Sequence, residues 1–337
     1  MPHPNYAVLL SLLLLLLLLP ASLLVGSVTL PPFEVWQALT VPTEASDSAR
    51  FIVYESRLPQ MLTALLAGSA LSLSGLVMQT LFGNPLADPS LLGVNSGASL
   101  GAAVVLLIPG IGAWASGTTG VVMTVIASFI GACAVIALLV FLSQRLHGNL
   151  ALLVAGVMLS FCISSVISLL NFYATAEGVR SFIIWGLGNF AGVPLSQMPV
   201  FALFTVIPLL LLYHKALPLN ALLLGPDYAA NLGIKIKQER TWLLVYTGLL
   251  TSAVTALCGP IAFIGLAVPH MARLMVHSAD HRKLIPVTLL CGMDVALLSL
   301  LLTHLPGERG TLPLGSITPL LGVPVVLYIL LKNKRDK

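Results

Sequence analysis

The sequence predicts an all-α membrane protein of about ten transmembrane helices. Of its 337 residues, 58% are hydrophobic and only 8% are charged, whereas soluble domains have about 25% charged residues. Apolar runs of roughly 20 residues, the length that spans a bilayer, recur along the chain. Because these runs do not alternate with polar residues, they are not the strands of a membrane β-barrel.

Glycine, proline or charged residues separate ten apolar runs, and each run predicts one span. The predicted spans cover residues 7–29, 58–82, 92–109, 117–143, 150–173, 198–213, 241–258, 262–276, 284–303 and 313–331. The first run could instead be a signal peptide. However, no Lys or Arg precedes it, and it exceeds the roughly 7–15 apolar residues of such a peptide, so we expect a retained span.

The basic residues predict the orientation of these spans. With ten spans, 12 of the 16 Lys and Arg residues fall on one side and 4 on the other. The four are Arg50, Arg57, Arg180 and Arg309. Since basic loops stay in the cytoplasm, we expect both termini there. The long first loop, 30–57, then faces outward.

Two segments of the chain resemble each other. SLSGLVMQTLFGNPLADP follows Leu71, and TALCGPIAFIGLAVPHMAR begins at Thr255; setting Gly75 on Gly259 also sets Pro85 on Pro269. The first copy would run inward and the second outward, as in an inverted repeat. We therefore expect one transmembrane domain, 1–337. After the first span it has a half at about 57–173, linking helices at 178–213, a basic loop at 214–240 and a half at about 241–331. The segment 178–192 is too short to span and predicts a partial helix.

The basic loop between the sixth and seventh spans contains a short helix signal, GPDYAANLG. Pro226 suits the first helical position, Asp227 the positive end of the helix, and Gly233 its C-terminal cap. A short helix displayed on the cytoplasmic face would suit docking to a soluble partner; an ordinary surface helix is the alternative.

Several chemical functions have little support in the sequence. The four cysteines lie in apolar runs without a CxxC pair, which is typical of buried small hydrophobes. His270, His277 and His281 lack a thiolate or second carboxylate to complete a metal site, so we expect interfacial polar residues and no bound metal. No G-x-x-x-x-G-K-[ST] motif is present, so the chain does not bind ATP by a P-loop. Asp294 lies inside a span and is a functional candidate by position.

These features together resemble the permease subunits of ABC importers for iron complexes and vitamin B12. The matching segments are RLPQMLTALLAGSALSLSGLVMQTLFGNPLADPSLLGVNSGASLGA (57–102), LLVAGVMLS (152–160), LGPDYAANLG (224–233), CGPIAFIGLAVPHMARLMVHSADHRKLIP (258–286) and TLPLGSITPLLGVPVVLYILL (311–331).

The resemblance implies the partners of the chain. It implies a homodimer in the bacterial inner membrane, with two ATP-binding subunits on the cytoplasmic face and a substrate-binding protein outside. Lipid surrounds the dimer, and no nucleic acid is involved. ATP and magnesium would bind the partner subunit, so we expect no cofactor in this chain and no enzyme activity of its own.

The resemblance also implies the site residues. The coupling helix to the ATPase would present Pro226, Asp227, Ala230, Leu232 and Gly233; relatives usually have an acid where Pro226 stands. Docking of the binding protein would use Arg57, with Gln60 and His304 at positions where relatives have arginine, and Arg309 nearby. Candidates for the pathway or gate are Asn84, Asn95, Ser96, Ser99, Gly148 and Asn149.

The predicted function is import of an iron chelate, a siderophore or haem, driven by ATP hydrolysis in a separate subunit. Cobalamin import by the same mechanism is the alternative. A less favoured interpretation is an ion-coupled secondary transporter with Asp294 as its ion site. A membrane-embedded enzyme would need paired carboxylates or a metal cluster, which the sequence does not show.

Overall fold

A computed structural model describes residues 4–43, 45–108, 117–146, 148–307 and 310–335, and the chain folds there into helices joined by turns. The helices are α1 (Pro4–Leu24), α2 (Pro32–Thr40), α3 (Asp47–Ile52), α4 (Leu58–Phe82), α5 (Val94–Leu107), α6 (Gly117–Arg145), α7 (Asn149–Tyr173), α8 (Ala176–Gly186), α9 (Met198–Tyr213), α10 (Ala216–Leu223), α11 (Pro226–Asn231), α12 (Ile236–Cys258), α13 (Ile264–Val276), α14 (His281–Thr303) and α15 (Leu314–Arg335).

The helices confirm the predicted spans closely. Within the described residues, seven helical stretches are long and apolar enough to cross a membrane. Three shorter apolar helices, α5, α13 and part of α15, occupy the other three predicted spans. The partial helix predicted within 178–192 is α8, and the short helix predicted after Gly225 is α11.

The first loop is the main difference from the predicted elements. Residues 30–57 are largely helical: they form α2, α3 and a π-helical turn, Val53–Arg57, that runs directly into α4. Pro59 explains the wide turn, because proline lacks the N–H that would continue an α-helical ladder. Helix α10 was also not predicted, and it lies within the loop predicted at 214–240.

The molecule contains two sets of four helices. In each set the second helix is much shorter than the other three. Helices α4 to α7 have 25, 14, 29 and 25 residues, and α12 to α15 have 23, 13, 23 and 22. The packing corresponds too, since α4 lies against α14 as α12 lies against α6. A residue with left-handed backbone, Gly93 or Phe263, precedes the short second helix of each set. These correspondences support the predicted two-half architecture.

The predicted register of the repeat is wrong. Gly75 lies in the middle of α4, whereas Gly259 follows the last residue of α12. Pro85 lies in a turn, whereas Pro269 lies inside α13. The two similar segments are not equivalent positions but packing partners, because a Cβ on Gly75 would overlap the carbonyl oxygen of Gly265.

Small residues bring several helices into close contact. A Cβ on Gly68 of α4 would overlap the carbonyl oxygen of Gly292 on α14. Gly97 and Gly101 of α5 likewise approach α6, where their added Cβ atoms would meet the backbone. In a bilayer, such close backbone contact gives van der Waals packing that larger side chains would prevent. The glycine stripe of α5 therefore packs against α6 and is not the lining of a pathway.

Candidate functional site

Helix α11 and the two residues that follow it place all five predicted coupling residues at the surface. Gly225 precedes the helix with φ +104°, a conformation that glycine adopts without strain, and Pro226 and Asp227 occupy its first turn as predicted. Pro226, Asp227, Ala230, Leu232 and Gly233 are exposed. Tyr228 is 50% exposed and Leu232 59%. A short helix with such exposed apolar side chains is suited to docking a protein.

Two polar side chains, Lys215 and Asn220, hold α10, and with it α11, to the helix bundle. Lys215, directly before α10, pairs with Glu239 of α12 at 2.9 Å, and both side chains are mostly buried. Asn220 accepts hydrogen bonds from the backbone N–H and from Nδ1 of His281, each at 2.8 Å. The Asn220 amide also donates to Asp280 Oδ1 at 2.6 Å. This hydrogen bond lowers the pKa of the Asp280 carboxyl.

His281 connects this contact to α4. Its Nε2 lies 2.8 Å from Thr80 Oγ1, and the residue is only 1% exposed. The sequence pattern predicted an interfacial position for His281 and no role for Asn220 or Thr80. The signal was available in ALPLNALL, where one amide interrupts an otherwise apolar helix.

The turn between α4 and α5 is built by its own polar side chains. Asn84 Oδ1 accepts the Leu86 N–H at 2.9 Å, so its side chain closes the turn. Asp88 Oδ1 accepts from the backbone and the hydroxyl of Ser90 and caps the following 3₁₀ turn. Burial raises the pKa of the Asp88 carboxyl. Asn84 thus has a structural role, and its pathway role stays a prediction.

Two residues of α13 fasten that helix to the end of α4. Arg273 Nη1 donates to Gln79 Oε1 at 2.5 Å, and Gln79 Nε2 donates to the carbonyl oxygen of Leu266 at 3.2 Å. His270 Nε2 lies 2.9 Å from the carbonyl oxygen of Pro85. These contacts lie between the two halves and explain the polar residues of both similar segments.

The remaining pathway candidates lie on two helices. Asn95 Oδ1 accepts a hydrogen bond from Thr255 of α12 at 2.9 Å, so it joins α5 to the second half. Ser96 and Ser99 are half-buried on α5. Gly148, with φ +90°, precedes α7, and Asn149 begins that helix. Their contact with a substrate or a gate stays a prediction.

Arg57 is not a surface residue. It is 4% exposed, and Nη1 donates to the carbonyl oxygens of Leu23 and Leu24 at 2.6 and 3.0 Å. Nη2 donates to that of Val28 at 2.6 Å. The guanidinium therefore caps the C-terminal end of α1, where unpaired carbonyl groups favour a cation. This geometry gives Arg57 a structural role, and its role in docking the binding protein stays a prediction.

Gln60 and His304 do come together at this end of the molecule. His304 Nε2 lies 3.2 Å from Gln60 Oε1, and Gln60 Nε2 donates to Ser56 at 3.0 Å. Burial and the nearby Arg57 charge lower the pKa of His304. Both side chains line a small cavity of about 50 Å³. Arg309 lies outside the described residues.

The histidines and Asp294 have separate surroundings. His277 is exposed, whereas His270 and His281 bond to different partners, as described above. Asp294 is 4% exposed in α14, and its Oδ1 has no hydrogen-bond partner among the described residues. The structure brings no second carboxylate to Asp294 in a described contact.

Comparison with known proteins identifies the family. The FecCD transport family matches residues 13–332. The vitamin B12 import system permease protein BtuC of Klebsiella pneumoniae is 35% identical over 328 residues, which cover 96% of this chain and 92% of the relative. The protein of the same name from Salmonella typhimurium is 36% identical over 322 residues, 94% of this chain and 95% of the relative.

Solved structures agree with this assignment. An inward-facing putative metal-chelate type ABC transporter has a TM-score of 0.84 and 27% identity, covering 97% of this chain and 99% of that one. PsaBC from Streptococcus pneumoniae has a TM-score of 0.52 at 13% identity, covering 88% and 94%, and shows likeness of fold alone. The chain therefore belongs to the FecCD transport family and is a multi-pass inner-membrane permease of the ABC importer type.

Proposed function

We propose that this chain is the permease subunit of an importer for vitamin B12. The observation that carries the proposal is that BtuC proteins of vitamin B12 import align with almost the whole chain at 35% and 36% identity. The sequence favoured an iron chelate and kept cobalamin as the alternative. The relatives support cobalamin better, while the metal-chelate type transporter of similar fold keeps an iron chelate as the second candidate.

In this proposal the energy comes from two separate ATP-binding subunits. Membership of the ABC importer type implies such partners and a substrate-binding protein. The exposed Tyr228 of α11 and Leu232, directly after it, suit a contact with the ATP-binding subunit. ATP and magnesium bind that subunit, and this chain performs no bond chemistry. Closure of the ATPase pair shifts the spans between two states that open the pathway to opposite sides.

We also propose a homodimer with the pathway between the two copies. Helix α7 exposes large apolar residues such as Phe161 and Leu169, and it also exposes the hydroxyls of Ser164, Ser165 and Ser168. Polar groups on the outer face of a membrane helix usually face a protein partner or a water-filled cavity. Native mass spectrometry of the purified complex tests this arrangement, and a single permease copy per complex would contradict it.

The orientation is part of the proposal. Both termini and α11 lie in the cytoplasm, as the 12-to-4 division of basic residues supports. The docking candidates for the binding protein on the outer side are then Arg57, Gln60, His304 and Arg309. Accessibility of a single cysteine introduced beside Tyr228 to an impermeant reagent, in intact and opened cells, measures the orientation.

The substrate test uses proteoliposomes that contain the permease with its own ATPase and binding protein. We expect ATP-dependent accumulation of labelled cyanocobalamin, and no comparable accumulation of a ferric siderophore or haem. Uptake of a ferric chelate instead would contradict the substrate assignment. Uptake driven by an ion gradient in the absence of the ATPase would contradict the importer mechanism and favour a secondary transporter.

A further inference from the structure

The N-terminus of α14 is capped by two side chains, one of which comes from a different helix. Asp280 caps in the usual manner and accepts the Arg282 N–H at 3.0 Å. The preceding N–H, that of His281, is accepted by Asn220 of α10 at 2.8 Å. The first N–H groups of a helix have no partner within it, so each needs an acceptor from elsewhere. Asn220 supplies one from the helix that leads into α11.

Both the oxygen and the nitrogen of the Asn220 amide form hydrogen bonds with this end of α14. Its oxygen accepts from the His281 backbone and ring, and its nitrogen donates to Asp280 at 2.6 Å. Because a carbonyl oxygen only accepts, His281 Nδ1 carries a proton. The opposite ring nitrogen meets Thr80 Oγ1 at 2.8 Å. Asn220 is therefore joined through one buried ring to the last turns of α4.

Helices α4 and α14 pack closely against each other. A Cβ on either Gly68 or Gly292 would overlap the backbone of the other residue, and a Cβ on Gly292 would also meet the Ser72 side chain. Packed helices of this kind slide or rotate together more readily than they deform. A displacement applied at His281 thus acts on both helices.

Helix α10 is placed to apply that displacement. It ends at Leu223, and α11 begins three residues later, after the turn at Gly225. Its other end is fixed to α12 by the Lys215–Glu239 ion pair. A push on α11 therefore reaches Asn220 through a few residues of chain, whereas α11 itself makes few contacts with the spans.

We propose that Asn220 is a positioning residue that transmits movement of the docked ATPase from α10–α11 to the α4–α14 pair through His281 and Asp280. This inference rests on the proposed function, because it assigns a residue to the coupling step of that transport cycle. Asn220 contacts no substrate or nucleotide, so its loss alters how much transport each ATP drives.

The test compares four variants in the reconstituted complex with ATPase and binding protein. Asn220→Leu removes every polar contact at nearly constant volume. Asn220→Asp keeps the acceptor for His281 but sets a second carboxylate against Asp280. The double exchange Asn220→Asp with Asp280→Asn restores one donor and one acceptor in the opposite order. Gln238→Met, at an exposed amide of the same loop region, is the matched control.

The readouts are copurified ATPase, ATP hydrolysis and substrate accumulated per ATP hydrolysed. We expect both single variants to assemble and hydrolyse ATP but to lose roughly tenfold in accumulation per ATP, the range of a typical coupling free energy. The double exchange should recover most of that loss, and Gln238→Met should match the wild type. Recovery by exchange separates positioning from general damage to the fold.

Three results would overturn the inference. The first is that Asn220→Leu accumulates as much substrate per ATP as the wild type. The second is that the single Asn220 variants lose ATPase binding and keep their coupling. The third is that the double exchange does not recover the accumulation per ATP. Failure of the proposed function is distinguishable, since the wild-type complex would then transport no corrinoid. In that case the ratio is measured with whichever substrate the wild type accumulates.

Discussion

Arg273 donates a hydrogen bond to Gln79 across the boundary between the two halves, with Nη1 2.5 Å from Oε1. Gln79 passes the connection on, because its amide donates to the carbonyl oxygen of Leu266 in the same helix as Arg273. One side chain thus satisfies two groups of α13, and α13 is fastened to α4 near the turn that holds Asp88.

Replacing Gln79 tests this connection. Gln79→Leu removes the acceptor of Arg273 and the donor to Leu266 while keeping the volume of a residue that is 3% exposed. We expect the free energy of unfolding to fall by about 1–3 kcal/mol, the usual cost of leaving a buried polar group without a partner. Denaturation in detergent measures it, with exposed Gln238→Leu as control. Equal stability of both variants would show that the connection contributes nothing.

The contact between Gly75 and Gly265 predicts a steric effect. Gly75→Ala places a methyl group where the carbonyl oxygen of Gly265 already lies. We expect a loss of about 1–3 kcal/mol, typical of overpacking, visible as a lower melting temperature. Gly186→Ala is the control, because a Cβ there meets nothing within 4 Å. A Gly75→Ala protein as stable as this control would disprove the close approach.

The capping role of Arg57 predicts that its loss destabilises the fold. Arg57→Gln should lower the free energy of unfolding by about 3 kcal/mol, because charge-assisted hydrogen bonds to the carbonyls of Leu23 and Leu24 at the end of α1 and to that of Val28 are lost. Arg50→Gln should cost under about 1 kcal/mol, since its pair with Asp47 is exposed. If Arg57→Gln instead leaves stability intact and weakens binding-protein affinity at low salt, the result would refute the capping contribution and support the docking role.

The surroundings of His304 predict a pH dependence. Burial and Arg57 lower the pKa of folded His304 below its ordinary value of 6.5. Between those two pKa values the unfolded chain binds a proton that the folded chain does not, so stability is full above pH 6.5 and falls as the pH is lowered. His304→Gln should flatten the fall of melting temperature that occurs as the pH is lowered below about 6.5. Exposed His277→Gln should leave it unchanged; equal slopes in both variants would refute the assignment.

The exposed face of α11 predicts where the ATP-binding subunit docks. Leu232→Asp places a charge on an apolar side chain that is 59% exposed and makes no demand on the fold. We expect copurification of the ATPase to fall by about tenfold, as for a contact of 1.4 kcal/mol, with unchanged melting temperature of the permease alone. Leu217→Asp, equally exposed on α10, is the control; the same loss in both would point to a wider docking surface.

The sequence predicted those elements whose signal lies in residues that are close together along the chain. The spans were predictable because bilayer thickness sets the length of an apolar helix, and α4, α7 and α9 begin and end within one residue of their predicted bounds. Helix α11 was predictable because Gly225, Pro226 and Asp227 act locally. Helices α2 and α3 have no long apolar run and were not predicted. Signals for their starts were present, since Pro32 lies at the first position of α2 and Ser46 caps α3.

The candidate site shows the same division between local and distant causes. Exposure of the coupling residues followed from their position in a short loop helix. The capping role of Arg57 could not be predicted in this way. Only the fold brings the end of α1, more than 30 positions earlier in the sequence, against the Arg57 guanidinium. Asn220 and His281 were undetectable as partners for the same reason, since they lie 61 residues apart.

The sequence alone determined that this protein lies in a lipid bilayer, that it has ten apolar helices, and that it displays a short surface helix. These features depend on hydrophobicity and helix termini, which are properties of neighbouring residues. Tertiary structure alone decided that the two similar segments are packing partners, that the α5 glycines face α6, and that Arg57 caps α1. The physical reason is that helix packing and hydrogen bonds between helices depend on which faces meet, and a sequence periodicity gives each helix its faces but not its neighbours.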